Sequence, residues 1–247
     1  MRIIANTGMV LWALGSLRPI AKNKRNIDRY RQEGNKEAEK AEILQAEKTW
    51  GSMICKKYGI EVRVTGGEDL PPDPVVYVSN HQGYCDIVAF LVAIPGRSLG
   101  FVAKEELSRI PLYGRWIKRV RSVFIPRDNV RGSLLAIEEA IENLKEGFSM
   151  VIFPEGTRSL GENMGEFKRG SLRLATKSGV PVIPVTINGS YKAFEEAGRL
   201  RPAVIDFHIH QPIETKDLSR AEANELPAKV EEIIRGGLKE KVHLLND

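Results

Sequence analysis

Between Val75 and Ile209, short runs rich in Val and Ile alternate with longer amphipathic stretches, and this alternation limits what the chain can fold into more than any other feature. Strands are expected at 75–79, 99–103, 121–125, 149–153, 181–187 and 203–209, with helices at 86–94, about 111–119, 130–146, 168–178 and near 219–241. Apolar runs this short, set between amphipathic helices, suit strands buried on both faces. The expected fold is therefore α/β, a mixed, mostly parallel sheet flanked by helices. At 247 residues the chain can bury a full core in one such domain and still carry a small N-terminal appendage.

The appendage reads as a helical hairpin. From Asn35 to Tyr58 the chain is charged, with Ile43, Ala46, Trp50, Met53 and Ile54 recurring at three- and four-residue steps. Ahead of it lies an apolar stretch containing Met9, Leu11, Trp12 and Leu14. It is interrupted by Asn6, Gly8, Gly15, Ser16 and Arg18 and followed by Pro19. A bilayer span needs roughly 20 mainly apolar residues, and this stretch is shorter. It also makes a poor secretory signal, with one basic residue in front and no small-x-small cleavage site behind. The cluster Lys22, Lys24, Arg25, Arg29 and Arg31 follows directly. An apolar segment with a tryptophan beside a polybasic tract reads as an anchor lying on an anionic leaflet; the competing reading is a helix packed on the protein's own core. The turn-dense segment from Thr65 to Pro74 marks the expected boundary between a helical membrane-anchoring segment, 1–64, and an α/β domain, 65–247.

Composition sorts the partners. The 37 Lys and Arg against 32 Asp and Glu, net +5, suit anionic partners such as phosphorylated metabolites, acidic carrier proteins or anionic lipid, and give nucleic acid no specific support. Cys55, Cys85 and four histidines offer neither a disulfide framework nor metal-ligand spacing, so a reducing, cytoplasmic setting and no metal are expected. His208 and His210 alternate with Asp206 along one strand; same-face neighbours on a half-exposed strand account for them better than a metal does.

Two strands end in polar turns that carry chemistry. The run Val75–Val78 leads into Ser79-Asn80-His81-Gln82-Gly83-Tyr84-Cys85-Asp86, and Met150-Val151-Ile152 into Phe153-Pro154-Glu155-Gly156-Thr157-Arg158-Ser159. Turns at the ends of buried strands are where α/β proteins hold ligands. His81 is a candidate base, since an imidazole takes a proton near neutral pH without a metal. Asp86 is placed either to fix the tautomer of His81 or to cap the helix that follows it. Cys85 reads as a small buried residue rather than a nucleophile.

Asn80-His81-x4-Asp86 and Phe153-Pro154-Glu155-Gly156-Thr157-Arg158 together resemble the first and third signature blocks of the glycerolipid acyltransferases, and among these the bacterial lysophosphatidic acid acyltransferases. The resemblance covers about residues 75–190. Val123-Phe124-Ile125-Pro126-Arg127 is similar to the second block, departing from it at Pro126 and in lacking an upstream glycine; Val180–Val185 is similar to the fourth, an acyl-chain wall or core filler. The resemblance implies an O-acyltransferase in which His81, oriented by Asp86, deprotonates the sn-2 hydroxyl of lysophosphatidic acid. The hydroxyl oxygen then attacks the thioester of acyl-carrier protein or acyl-CoA, giving phosphatidic acid at the cytoplasmic face of the cell membrane with no cofactor. Arg127 and Arg158 are expected on the acceptor phosphate, with Lys104 a weaker candidate, because a guanidinium fork suits a phosphomonoester. Lys168, opening the helix expected at 168–178, is a further phosphate or oxyanion candidate. Glu155, Gly156 and Thr157 are expected to position substrate. Glu155 either holds a glycerol hydroxyl, braces Arg158 or satisfies turn amides. The oxyanion is expected on backbone amides near Gly83 or on a lysine. Acylation of glycerol 3-phosphate or another lysophospholipid, and a non-catalytic lipid-binding module, are the competing functions.

Overall fold

The computed structural model describes residues 15–94, 96–126, 129–168 and 170–244, with side chains described as far as Lys239. Helices α1 (Asn23–Gln32) and α2 (Lys36–Tyr58) form the expected hairpin. Asn35 caps α2 by accepting from the Ala38 N–H at 3.1 Å, and Gly59 ends it in the left-handed region at φ +67°.

Seven strands follow, β1 (Ile60–Gly66), β2 (Val76–Ser79), β3 (Leu99–Lys104), β4 (Val123–Ile125), β5 (Ser149–Ile152), β6 (Val182–Asn188) and β7 (Ala203–Ile209), in the order β1-β7-β6-β2-β5-β3-β4. Every pairing is parallel except β6 with β7. The expected mixed, mostly parallel sheet is what the chain forms. Helices α3 (Cys85–Ala93), α4 (Tyr113–Arg119), α5 (Val130–Lys145), α6 (Arg173–Ser178) and α7 (Arg220–Leu244) complete it. Alternate residues of β2 face opposite layers: Tyr77 packs with Phe90, Val151 and Phe207, while Val76 and Val78 pack with Leu144, Leu174 and Val230. The central strands are buried on both faces, which is why they read as unbroken apolar runs.

Three departures have local causes. The boundary expected between residues 64 and 65 falls inside β1, which pairs in register with β7 from Ile60–Ala203 to Gly66–Ile209. Its alternation of Glu61 and Arg63 with Val62 and Val64 is that of an edge strand with charges turned outward. The helix expected at 168–178 is only α6, because the Ser171 N–H closes a turn onto Lys168 O and Gly170 takes φ +76°. Strand β4 starts two residues later than expected, since Arg121 sits at φ +62° in the turn before it.

From α1 onward the hairpin is docked on the protein itself. Ile27 and Ile43 form a cluster with Val120 and Phe148. Buried Glu39 accepts from Arg31 at 2.6 Å and from Arg121 at 2.7 Å, and Asp28 accepts from Arg119 at 2.7 Å. Of the basic cluster, Arg31 is drawn into this network, whereas Lys22, Lys24, Arg25 and Arg29 remain exposed. Met9, Leu11, Trp12 and Leu14 lie outside the described residues. Among the described residues no helix is long and apolar enough to cross a membrane.

Strands β2 to β6 run in one direction, so the segments after each of them gather at one edge of the sheet. The histidine turn, the Phe153–Ser159 turn and the connection that follows β6 meet there.

Candidate active site

The histidine turn is fixed from below by two side-chain amides. Asn80 exchanges hydrogen bonds of 2.8 Å with the N–H and C=O of Ile187, and Gln82 Oε1 accepts from Gly189 at 2.9 Å. On this base His81 Nδ1 meets Asp86 Oδ2 at 2.6 Å. The same oxygen accepts from Gly83 N at 2.9 Å, and Asp86 Oδ1 accepts from the Ser190 hydroxyl. Asp86 is fully buried, the second residue of α3, and its carboxylate bonds the turn rather than its own helix. The His81 ring stacks on Phe153 with centroids 4.1 Å apart, and its Nε2 has no partner among the described residues. A carboxylate on Nδ1–H leaves Nε2 as the basic nitrogen, and the His81 side chain is 19% exposed, enough to meet a ligand.

Glu155 crosses from the second turn to the first. Its Oε1 accepts from His81 N at 2.6 Å and its Oε2 from Gly165 N at 2.8 Å. Burial pushes its carboxyl up, partly offset by those two amides. Both oxygens are on backbone N–H groups, so bracing of Arg158 by Glu155, one of the three roles open from sequence, is not what forms. Gly156 stands at φ +66°, with Lys168 Nζ 2.8 Å from where a Cβ would sit, so the Lys168 amine lies over this turn. Thr157 is exposed at its outer side.

Arg158 is held instead by Glu195, from the β6–β7 connection. Nη1 donates to Glu195 Oε1 at 2.8 Å, and the guanidinium lies 3.8 Å above the centroid of the Tyr84 ring. Glu195 Oε1 also accepts from Tyr84 N at 2.8 Å. Burial raises the Glu195 carboxyl, with the Tyr84 amide and Arg158 pulling the other way. The amides of His81, Gly83 and Tyr84 are therefore occupied by Glu155, Asp86 and Glu195 respectively. These three amides are thus not open to an oxyanion, which narrows the expectation for the amides near Gly83.

Ser190 and Glu195 were not read from sequence. One signal was available: the polar turn Asn188-Gly189-Ser190 follows a buried parallel strand, as the other two site turns do.

The remaining candidates are scattered in their settings. Lys104 ends β3 at the same sheet edge and is half-buried, while Arg127 lies outside the described residues. Lys168 opens a turn and not a helix, so no helix N-terminus supports an anion there. Cys85 is buried, and burial beside Glu195 and Asp86 pushes its thiol up to about 12, which disfavours a thiolate. In the fourth block Val182, Ile183 and Val185 are fully buried in β6. His208 Nδ1 is 2.8 Å from Thr65 Oγ1 and His210 Nε2 is 2.7 Å from Thr186 Oγ1, so the two rings serve strand contacts.

Residues 61–188 match the family model named Acyltransferase. The crystal structure of the 1-acyl-sn-glycerophosphate (LPA) acyltransferase PlsC from Thermotoga maritima superposes with a TM-score of 0.74 and 31% sequence identity, covering 97% of both chains. A 1-acyl-sn-glycerol-3-phosphate acyltransferase from Borreliella burgdorferi is 30% identical over 189 residues, 76% of this chain and 74% of that one. The chloroplastic enzyme LPAT1 of Arabidopsis thaliana is 35% identical over 170 residues, 67% of this chain and 47% of that one. The chain thus spans about half the length of the chloroplast relatives it matches. Because the family model takes in the histidine turn, the Phe153–Ser159 turn and every strand from β1 to β6, the chain belongs to the acyltransferase family.

Proposed function

We propose that the chain is an O-acyltransferase that moves a fatty acyl group from acyl-carrier protein or acyl-CoA to the sn-2 hydroxyl of 1-acylglycerol 3-phosphate. The observation that carries this reading is the 2.6 Å contact of His81 Nδ1 with buried Asp86, which leaves Nε2 unpartnered among the described residues, in a turn tied through Glu195 to an arginine with donors to spare. The names borne by the Thermotoga and Borreliella relatives support the choice of substrate.

In this mechanism His81 Nε2 takes the proton of the hydroxyl as its oxygen attacks the thioester carbonyl carbon. The tetrahedral intermediate collapses with cleavage of the C–S bond. The thiolate leaves with the proton held on His81, giving phosphatidic acid and the free thiol of the donor. Asp86 stabilises the imidazolium while it lasts, and Ser190 and Gly83 keep Asp86 in place. Arg158 receives the acceptor phosphate, aided by Arg127, Lys104 and Lys168; Gly156 and Thr157 shape the turn against which the acceptor lies. The segment holding Met9, Leu11, Trp12 and Leu14, with exposed Lys22, Lys24, Arg25 and Arg29, rests on the anionic cytoplasmic leaflet. Leu112 and Leu160 support a lipid-facing site: both follow strands that end at the site's edge, both are more than half exposed, and both take positive φ, a conformation that penalises a side chain.

The test is direct. Purified protein is incubated with 1-acylglycerol 3-phosphate and each acyl donor, and products are read by mass spectrometry. Acylation at sn-2 is expected. A folded protein that acylates no phosphorylated acceptor with either donor ends this reading.

A further inference from the structure

Position 83 is a glycine, yet its backbone is not in the left-handed region, so conformation does not explain it. Space does. A Cβ built there lies 2.6 Å from Glu195 Cδ, closer than carbon atoms pack, and 3.0 Å from Glu195 Oε1, tighter than an ordinary contact. The Glu195 carboxylate occupies the volume that any larger residue at position 83 needs.

What that carboxylate does follows from its bonds. Its Oε1 takes Tyr84 N and Arg158 Nη1 together, each at 2.8 Å, and so ties the guanidinium to the histidine turn; Oε2 is buried without a partner. Tyr84 supplies the face over which the same guanidinium lies. One edge of the Arg158 fork is thus fixed, while Nε and Nη2 have no partner among the described residues. We propose that Glu195 is the positioning residue for Arg158, presenting the open edge of its guanidinium to the acceptor phosphate, and that residue 83 is glycine to admit the Glu195 carboxylate. This rests on the reading that Arg158 binds that phosphate. A long side chain held in one geometry loses less freedom when the ligand arrives, so the benefit appears in acceptor binding.

The experiment compares wild type with Glu195→Ala, Glu195→Gln, Gly83→Ala and the Glu195→Ala/Gly83→Ala double variant. Steady-state kinetics are run with 1-acylglycerol 3-phosphate and acyl-CoA varied in turn, and each variant's melting temperature is recorded. Glu195→Ala raises the acceptor KM about tenfold, with kcat and the donor KM within about twofold. Glu195→Gln stays near wild type, because its amide oxygen still accepts from Tyr84 N and Arg158. Gly83→Ala matches Glu195→Ala, and the double variant is no worse than either, since the methyl fills the vacated space. An unchanged or lowered acceptor KM in folded Glu195→Ala overturns the proposal, and so does additivity in the double variant. A second readout needs no substrate: guanidinium ¹⁵N NMR, with Arg158 assigned by Arg158→Lys. A protected, slowly rotating Arg158 signal is expected in wild type and Glu195→Gln and an averaged one in Glu195→Ala. Equal signals in all three sink the positioning role even if the protein acylates nothing, whereas loss of activity in wild type alone speaks against the function and not against this contact.

Discussion

Two part-buried arginines, each stacked over an aromatic ring and each paired with a buried glutamate, serve opposite ends of the sheet. Arg121, at the base, gives Nε and Nη2 to Glu39 and Nη1 to Glu146, all at 2.7 Å, above the Phe148 ring. Arg158, at the site's edge, gives only Nη1 to Glu195, above the Tyr84 ring. The first has every nitrogen committed and holds the hairpin against the sheet. The second keeps part of its fork for something the protein does not supply. Burial and a charged partner therefore do not tell these two arginines apart; the count of unused donors does, and it is why Arg158 is the one proposed to take a ligand.

The largest effect that can test this contrast lies at the site. His81→Ala is expected to lower kcat by about 10²–10⁴-fold with the melting temperature nearly unchanged, because the proposed base is lost from a partly exposed place at the sheet's edge. Asp86→Asn should fall in the same range. Full activity in His81→Ala removes the mechanism.

Next come the arginines themselves. Arg121→Ala is expected to destabilise by about 3 kcal/mol, the low end for breaking a buried pair because Arg31 stays on Glu39, while the acceptor KM of the folded protein stays put. Arg158→Ala should do the reverse, raising the acceptor KM about 10–100-fold, as loss of a charge-assisted contact predicts, with little change in melting. If both variants move the same quantity, the distinction drawn from unused donors fails.

Smaller effects come from pH. On α2, burial works to raise the Glu39 carboxyl, but Arg121 and Arg31 outweigh it and hold the carboxyl below its ordinary range. Burial pushes Glu47 well above that range, opposed only by the Leu99 N–H. The stability contributed by Glu39 is present above the unfolded carboxylate pKa, about 4.3, and lost as pH falls through the lowered folded value. That of Glu47 has the other sign: it is complete below the unfolded pKa and is lost as pH rises through the raised folded value. Melting temperature measured across pH should decline at both ends, and Glu47→Gln should flatten only the alkaline side.

The smallest effect per residue is expected on membranes. Replacing Lys22, Lys24, Arg25 and Arg29 one at a time by Ser should weaken flotation with anionic vesicles by about 1 kcal/mol each, less at high salt, without altering the fold, since all four are exposed. Truncation through residue 31 is a poor substitute, because it removes buried Ile27 and one of the two arginines on Glu39. Unchanged flotation in the four single variants moves the lipid contact away from this cluster.

How much of this could be read in advance depends on the range of the interactions. The buried strands announced themselves through unbroken Val and Ile runs, and the His81–Asp86 pair through a five-residue spacing that one turn can close. Edge strand β1 was missed because its outward charges imitate a solvated segment. For Glu155 three roles stayed open, and the one that forms, holding backbone amides, could not be singled out because those amides lie 74 residues away at His81 and ten residues away at Gly165.

Sequence alone determined the α/β alternation, the edge of the sheet where the polar turns gather, and the pairing of His81 with Asp86, because each depends on local periodicity or on residues close in the chain. Only the tertiary structure decided which acid meets which arginine. Glu195 reaches Arg158 across 37 residues, Ser190 reaches Asp86 across 104, and Glu39 reaches Arg121 across 82. No spacing rule encodes such pairings; they follow from the order in which β6, β2 and β5 lie side by side and from the burial that makes an unpaired charge too costly to leave.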